Sequence, residues 1–320
     1  MSEPTPERLT AAGLTILERG WLSSNNVLLS DPADPRAPAV LVDSGHCTHA
    51  AQTVALVARA LDERPLGRIL NTHLHSDHCG GNAALQALHR APDGQGPVPV
   101  SVPPGQADAV RRWDEQALSY APTGQRCERY ELDGVLPPGV ELEMAGQCWE
   151  VLAAPGHDPH AVMLFRRADG VLIAGDALWE NGFGVVFPEL DGVDAFDEVG
   201  ATLDLIAQLP VRWVIPGHGS PFGDVAGALE RARRRLDGHR ADPRKHARHA
   251  AKVLIKYHLM EEQRQPWAEA LAWVVATPLL ASCQARAGVA GPAEDFALGL
   301  IEELVGNGAL RLADGVLHDA

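Results

Sequence analysis

The sequence predicts an α/β fold followed by a mainly helical C-terminal region. Over the first two-thirds of the 320 residues, short apolar segments alternate with segments of helical periodicity, which is typical of a sheet covered by helices. After about residue 228 the short apolar segments disappear, and the sequence becomes charged and helical in its periodicity. We therefore predict two domains, residues 1–228 and a smaller helical domain of residues 229–320.

The predicted strands of the first domain end in glycine or polar residues. In chain order they lie at 39–43, 68–72, 149–153, 161–166, 171–174 and 212–215. Ala168-Asp169-Gly170 joins two of them and favours a β-hairpin. Helical spacing of apolar residues predicts helices around 54–61 and 82–90, and the proline-rich stretches 31–38 and 91–104 are predicted to be loops.

The second domain shows two amphipathic patterns. Apolar residues share one helical face from Ala250 to Met260 and another from Ala297 to Leu304. Gly306-Asn307-Gly308 then ends the helix, and the segments 309–312 and 316–318 predict a terminal hairpin. Helices followed by a hairpin are similar to a winged-helix module.

Composition and charge narrow the class of protein. The chain is 46% hydrophobic and carries a net charge of −15, and it has no apolar run long enough to cross a membrane. The N-terminal segment MSEPTPERLT lacks the pattern of a signal peptide, so a cytoplasmic protein is expected. In that setting we expect no disulfide framework, and we expect most of the five cysteines to be buried free thiols: Cys47, Cys79, Cys127, Cys148 and Cys283.

The segment from Thr72 to Gly81 concentrates residues that bind metals. In an extended strand, residues two apart face the same side, so His73 and His75 can bind one ion together. Asp77 and His78 follow, where a turn can direct them at a second ion. Because such groups are costly to bury unpaired, we predict a metal site that suits zinc and also iron, manganese or cobalt.

Three further candidate ligands follow predicted strands. They are His157, Asp176 and His218, and each is preceded by a glycine that permits a sharp turn and a close backbone approach. One such residue alone would be a weak signal. Together with the first segment, and in this order, they strengthen the prediction of a metal site.

With these motifs the sequence resembles the metallo-β-lactamase superfamily from about Leu14 to Gly223, and Val42-Asp43-Ser44-Gly45 resembles the first motif of that family. The resemblance implies a four-layer αββα fold and two divalent metal ions, with Zn²⁺ favoured and Fe or Mn as alternatives. It implies that one ion is held by His73, His75 and His157, the other by Asp77, His78 and His218, and that Asp176 bridges the two.

The resemblance also implies an activity. Asp176 stands where the best-known zinc β-lactamases carry cysteine, which is similar to the glyoxalase II and lactonase branches. We therefore predict a hydrolase in which a metal-bridging hydroxide attacks the carbonyl of a small-molecule ester, thioester or lactone. Asp77 and Asp176 are the predicted catalytic residues. Asp43 either steadies a ligand histidine or caps a strand end.

Weaker candidates surround these residues. His46 and His160 either face the site or serve the structure, and Cys79 is interpreted as a packing residue. The segment from Trp179 to Pro188, rich in aromatic residues and glycines, either forms a substrate-pocket loop or packs beneath one.

Other functions remain open at this point. A nuclease or phosphodiesterase would use the same metal site, a persulfide dioxygenase would bind a single iron, and a non-enzymatic binding protein would retain only the fold. The basic segment 231–256 supports nucleic-acid binding weakly, because the acidic net charge opposes it and charge runs are usually solvated faces. The C-terminal domain could also form a homodimer or cover the mouth of the site.

Overall fold

The computed structural model describes Leu9 and residues 11–320, which form two stacked sheets with helices on both outer faces. Residues 1–8 and 10 include most of the N-terminal segment in which no signal peptide was expected, and they lie outside the described residues.

The first sheet has six strands in the order β1-β2-β3-β4-β5-β6. Their bounds are β1 Leu14–Leu17, β2 Asn26–Leu29, β3 Ala39–Val42, β4 Leu66–Leu70, β5 Val100–Val102 and β6 Gly134–Val135. The pairs from β1 to β3 are antiparallel, and those from β3 to β6 are parallel. Parallel strands bring the loops that follow them to one edge of a sheet, and β3 and β4 both lead to residues of the predicted site.

The second sheet has five strands in the order β11-β10-β9-β8-β7. Their bounds are β7 Glu141–Met144, β8 Gln147–Ala153, β9 Val162–Arg166, β10 Val171–Gly175 and β11 Trp213–Pro216. The strands β9 and β10 form the predicted antiparallel hairpin, whereas β10 and β11 are parallel. Asp176 follows the end of β10 and His218 follows the end of β11. Both residues therefore lie at the same edge of this sheet.

Alternating side chains separate the layers. In β2, Val27 and Leu29 pack between the sheets, and Leu28 packs against the outer helices. In β9, Val162 and Leu164 face the first sheet, whereas Phe165 faces helices on the other side. This arrangement confirms the four-layer αββα prediction.

Short and long helices cover these sheets. Those outside the first sheet and around the site are α1 Ala50–Leu61, α2 Ser76–Cys79, α3 Asn82–Leu88, α4 Ala107–Arg112 and α5 Tyr120–Thr123, with 3₁₀ turns at Cys47–His49 and Pro104–Gln106. Those that follow the second sheet are α6 Phe187–Leu190 and α7 Phe196–Gln208.

The C-terminal region is helical and ends in the predicted hairpin. Its helices are α8 Val225–Ala241, α9 Pro243–Glu262, α10 Trp267–Ala276, α11 Pro278–Arg286 and α12 Ala293–Gly306. The hairpin strands, β13 (Leu310–Ala313) and β14 (Val316–Asp319), are joined by the unexpected short strand β12 (Arg264–Pro266) in the order β12-β14-β13. The division at residue 228 stays a prediction. Helix α8 crosses it, and Leu229 and Leu236 of α8 pack in the same apolar cluster as α7.

Two local predictions are wrong. The strand predicted at 68–72 ends at Leu70, and His73 and His75 lie in a bend rather than in an extended strand. The reason is that the amide of Thr72 donates to Asp43 Oδ1 (2.8 Å) and its carbonyl accepts from Val162 of the second sheet (2.8 Å), so the chain crosses between the sheets. Strand alternation therefore does not explain why these histidines point the same way.

The second wrong prediction concerns the proline-rich stretch 91–104, which contains the buried strand β5. Prolines at 97 and 99 hide the alternation of Val98, Val100 and Val102. Pro99 is tolerated because its carbonyl still accepts a hydrogen bond from Ile69 (2.9 Å) at the start of the pairing.

Within the described residues, the only membrane-span candidate is a bent pair of helices, α10 and α11, which meet at 72° and qualify by length and composition alone.

Candidate metal centre

The predicted ligands converge at the edge where both sheets present their loops. Their donor atoms fall into three groups, each with its atoms within 4.8 Å of one another: His73, His75 and His157; His73, His78 and Asp176; Asp77, His78 and His218. Six of the seven residues are buried, and His75 is half-buried. The structure thus brings all seven together, and their role as ligands stays a prediction.

The first group consists of three imidazoles. His75 Nδ1 lies 2.8 Å from His157 Nε2 and 3.0 Å from His73 Nε2. His157 Nδ1 donates to the carbonyl of Val185 (2.6 Å), which leaves the lone pair of Nε2 directed at the other two rings. This is the tautomer that a metal ligand needs.

The group of Asp77, His78 and His218 combines imidazole and carboxylate. His218 Nε2 lies 3.0 Å from Asp77 Oδ2. The carboxylate of Asp176 stands between the groups: Oδ2 is 3.4 Å from His157 Nε2, and Oδ1 is 3.4 Å from His78 Nε2. One oxygen of Asp176 therefore faces the group of His73, His75 and His157, and the other faces the group of Asp77, His78 and His218. A residue that bridges two ions requires this arrangement.

Helix α2 and two glycines make this convergence feasible. Asp77 and His78 are consecutive in the helical turn Ser76–Cys79, and this turn brings both side chains close to His218. A methyl group at Gly217 would collide with Asp176 Oδ1, and one at Gly184 would collide with the ring of His157. These glycines are required for close approach rather than for a special backbone conformation.

Asp43 orients His78. Its carboxylate accepts from His78 Nδ1 (2.8 Å), from the amide of Thr72 (2.8 Å) and from Thr72 Oγ1 (2.8 Å). Asp43 itself has a positive φ of 58°, an uncommon conformation for a residue other than glycine. Of the two interpretations offered by the sequence, these contacts favour the one in which Asp43 steadies a ligand histidine.

Burial and neighbouring charges prepare the donors for a cation. Burial, and then the adjacent His157, lowers the pKa of His75 to about 3, and burial together with His78 lowers that of His73. Burial raises the pKa of Asp176, but His78 and His218 outweigh it, so that this pKa is well below its usual value. Neutral imidazoles and ionised carboxylates are the forms that bind metals.

The residues present fit a pair of divalent cations. Nε2 of His78 is buried, points among carboxylates and makes no hydrogen bond to any residue that the structure describes. Burial lowers the pKa of His78, yet Asp43, Asp176 and Asp77 outweigh burial and raise it, which shows that the surroundings favour positive charge. A donor set of imidazole nitrogen and carboxylate oxygen suits Zn²⁺, Fe or Mn.

A cavity of about 550 Å³ opens onto this cluster. Trp21, Trp179 and Phe187 form its aromatic walls, and Trp21 stacks on His218 with ring centroids 5.4 Å apart. The rest of its lining comes largely from α8, α9 and α12. Tyr257 of α9 lies close to the donor residues, since its hydroxyl is 3.2 Å from Ser76 Oγ. The C-terminal region therefore lines the cavity, which favours the covering role among those that the sequence left open.

The loop 179–188 serves both of its suggested roles. Trp179, Val185 and Phe187 line the cavity, while Phe183 and Val186 are buried in a core cluster.

The weaker histidine and cysteine candidates lie outside the cavity lining. His46 is buried behind Tyr257, with ring centroids 5.8 Å apart, and His160 is exposed. Cys79 is buried with its Sγ 3.8 Å from that of Cys127. All five cysteines are free thiols, but the expectation that most are buried is wrong, since Cys47 and Cys127 are half-buried and Cys148 is exposed.

Sequence reasoning missed Trp21 and Tyr257, and it identified Arg235 only as one member of a basic segment. Each of these residues lines the cavity. Trp21 lies in a short turn between β1 and β2, and Tyr257 lies on an ordinary amphipathic helix, so neither carries a local signal.

The chain is similar to known proteins both in sequence and in structure. The family described as the metallo-beta-lactamase superfamily matches residues 19–218. A protein named hydroxyacylglutathione hydrolase from Cupriavidus taiwanensis is 33% identical over 177 residues, which cover 53% of this chain and 57% of that protein. The chain thus spans little more than half the length of this relative.

Solved structures extend the similarity over the C-terminal region. A metallo-beta-lactamase family protein from Thermus thermophilus is 20% identical, with a TM-score of 0.56 over 97% of this chain and 99% of its own. A beta-lactamase domain protein from Burkholderia ambifaria is 23% identical, with a TM-score of 0.56 over 97% of this chain and 93% of its own. At these identities the likeness concerns the fold.

Proposed function

The chain belongs to the metallo-beta-lactamase superfamily, and we propose that it is a two-metal hydrolase of small esters, thioesters or lactones. The observation that carries the proposal is the carboxylate of Asp176, which presents one oxygen to His157 and the other to His78. The relatives named hydroxyacylglutathione hydrolase support hydrolysis of a thioester-like carbonyl. Their substrate is not carried over, because the chain spans only part of their length.

In this proposal His73, His75 and His157 would hold one ion, Asp77, His78 and His218 would hold the other, and Asp176 would serve as a ligand to both. Two divalent ions, with Zn²⁺ favoured, would supply a water of lowered pKa and polarise the substrate carbonyl.

The other tasks belong to the chain itself. Asp77 lines the cavity and, as a carboxylate, accepts a hydrogen bond from the attacking water and orients it. Burial raises the pKa of Asp77, but His78 and His218 outweigh burial and lower it to about 2, so Asp77 is ionised near neutral pH. The walls formed by Trp21, Trp179 and Phe187 bind the apolar part of the substrate and limit access of bulk water.

The proposal is tested by metal analysis of the purified protein together with a panel of a thioester, a lactone, a β-lactam and a phosphodiester. We expect two ions per chain and turnover of a thioester or lactone. Asp176→Ala should lose at least one ion and reduce kcat/KM by about 100-fold or more, since it removes a shared ligand.

Asp204→Ala is the matched control, because Asp204 is exposed and pairs only with Arg233. It should keep both ions and full activity. Unchanged activity in Asp176→Ala would refute the mechanism. One iron per chain would favour the dioxygenase alternative, and cleavage of the phosphodiester alone would favour the nuclease.

The nuclease alternative receives less support from the basic segment. Eight of its ten lysines and arginines contact carboxylates, namely Arg231, Arg233, Arg234, Arg240, Lys245, Arg248, Lys252 and Lys256. Charges already paired in this way attract phosphates less strongly.

A further inference from the structure

Arg235 of α8 is a cation in the wall of the cavity that also contains the metal-site residues. Its guanidinium packs on the loop that follows Asp176: it lies over the ring of Phe183, 5.4 Å from the centroid, and a side chain at Gly182 would meet it. The guanidinium is therefore held at the wall of the cavity rather than extended into solvent.

Arg235 differs from its neighbours in charge pairing. Within the described part of the chain, Arg235 and Arg244 are the two basic side chains of the segment 231–256 that form no ion pair with a carboxylate, and Arg244 is exposed and outside the cavity. Arg234, one residue away, is exposed and pairs with Glu230 at 2.8 Å. Arg235 is thus a half-buried charge without an anion.

The polar partners of Arg235 are two histidines. Its Nε donates to His239 Nε2 (3.4 Å), and its Nη2 lies 3.1 Å from His249 Nε2. Burial and then Arg235 lower the pKa of both histidines to about 4, so both are neutral near pH 7. They fix the position of the guanidinium without balancing its charge.

The nearby cavity lining is mostly apolar. Val253, Leu254, Met260 and Leu304 share it with Arg235, and Lys252, also in the lining, is paired with Glu303 at 3.3 Å. A charge in such surroundings is costly unless an opposite charge meets it. A guanidinium matches the planar geometry of a carboxylate or phosphate and can donate two parallel hydrogen bonds to it.

We propose that Arg235 is a specificity residue that binds an anionic group of the substrate, a carboxylate or phosphate placed away from the scissile carbonyl. The inference rests on the proposed function, and it narrows the substrate class to anionic esters or thioesters with an apolar segment. The anion can belong to the acyl part or to the leaving group.

Matched pairs of thioesters test the inference and distinguish the two sources. S-glutaryl and S-pentanoyl N-acetylcysteamine differ by a carboxylate on the acyl side, and S-acetyl phosphopantetheine and S-acetyl pantetheine differ by a phosphate on the thiol side. We expect kcat/KM to favour the anionic member of one pair by about tenfold or more, as expected for a charged hydrogen bond. Equal values within both pairs would overturn the proposal.

Arg235→Gln should remove this preference by lowering kcat/KM for the anionic member alone, and Arg235→Lys should retain part of it. Arg234→Gln makes the same charge change at an exposed neighbour and should leave both values unchanged. An equal loss on charged and neutral substrates in Arg235→Gln would indicate a structural role and overturn the proposal. If Arg235→Gln does not fold, the same comparison is read from Arg235→Lys.

Binding of glutarate separates this inference from the proposed function. Trp21 and Trp179 line the cavity, so tryptophan fluorescence should report the titration. We expect Arg235→Gln, with the same metal content as the wild type, to bind glutarate about tenfold more weakly. Equal affinity would overturn the anion site even if thioesters are hydrolysed. Weaker binding without hydrolysis of any thioester would support the anion site and refute the proposed function.

Discussion

Asp43 shows how one side chain outside the donor groups can set the direction of a ligand. It holds His78 Nδ1 at 2.8 Å and anchors the amide and hydroxyl of Thr72 at the same distance. We expect Asp43→Asn to weaken metal binding by about 10- to 100-fold, since an amide cannot accept all three hydrogen bonds and loses the charge. Competition with a chromogenic chelator would measure the change.

Asp197→Asn provides the comparison, because Asp197 is exposed and pairs with Arg240, and neither residue lines the cavity. Its affinity for the ions should equal that of the wild type. Wild-type affinity in Asp43→Asn would mean that Asp43 only caps the end of β3.

Among single residues, those that could be predicted stand in a recognisable local sequence pattern. His73, His75, Asp77 and His78 lie within six residues, and the more distant predicted ligands follow glycines at strand ends. Trp21, Tyr257 and Arg235 carry no such signal, because each gains its place only when a remote element folds over the cavity. Their roles depend on tertiary packing that a single sequence does not encode locally.

Helix α8 offers a test of stability at the scale of one element. Gly238 is exposed in this helix, and a methyl group there would meet nothing within 4 Å. Gly238→Ala should therefore raise the free energy of unfolding by about 0.5–1 kcal/mol, since alanine loses less backbone entropy in a helix. Urea denaturation followed by circular dichroism would measure it.

Gly227 in the same helix gives the opposite case. Its amide donates to the capping side chain of Asp224 (3.1 Å), and a methyl group would collide with that carboxylate. Gly227→Ala should lower stability by disturbing the cap. Equal changes in the free energy of unfolding of both variants would show that helix propensity alone determines the effect of alanine in α8.

Helix α9 shows what periodicity leaves undecided. The sequence places Ala250, Val253, Tyr257 and Met260 on one apolar face. In the structure Ala250 packs in the C-terminal core, whereas the other three line the cavity. An apolar stripe indicates which face turns inward but not whether side chains or a cavity lie opposite.

Across the whole molecule, a histidine cluster joins the C-terminal helices to the loop beside the metal centre. His246 of α9 is buried, and its Nε2 accepts from the amide of Val186 (3.2 Å). Burial, then His239 and His249, lowers the pKa of His246 to about 3 from an ordinary 6.5. Below pH 6.5 the unfolded chain binds a proton that the folded chain excludes, so the free energy of unfolding should decrease as the pH falls toward 4.

His246→Gln isolates this contribution, because a glutamine oxygen can still accept from the Val186 amide. Its free energy of unfolding, measured in urea at pH 7 and pH 5, should vary less with pH than that of the wild type. Each excluded proton corresponds to about 1.4 kcal/mol per pH unit. His160→Gln, at an exposed position, should keep the wild-type slope, and an unchanged slope in His246→Gln would contradict the prediction.

The donors of the metal centre come from chain positions as distant as His73 and His218 and from the edges of both sheets. During synthesis on the ribosome, the first histidines therefore emerge long before Asp176 and His218 exist to join them. The proposed two-ion site would be complete only once β11, which precedes His218, lies beside β10, which precedes Asp176. Metal uptake would then follow folding of the nascent chain, and the bound ions would stabilise the finished protein against unfolding.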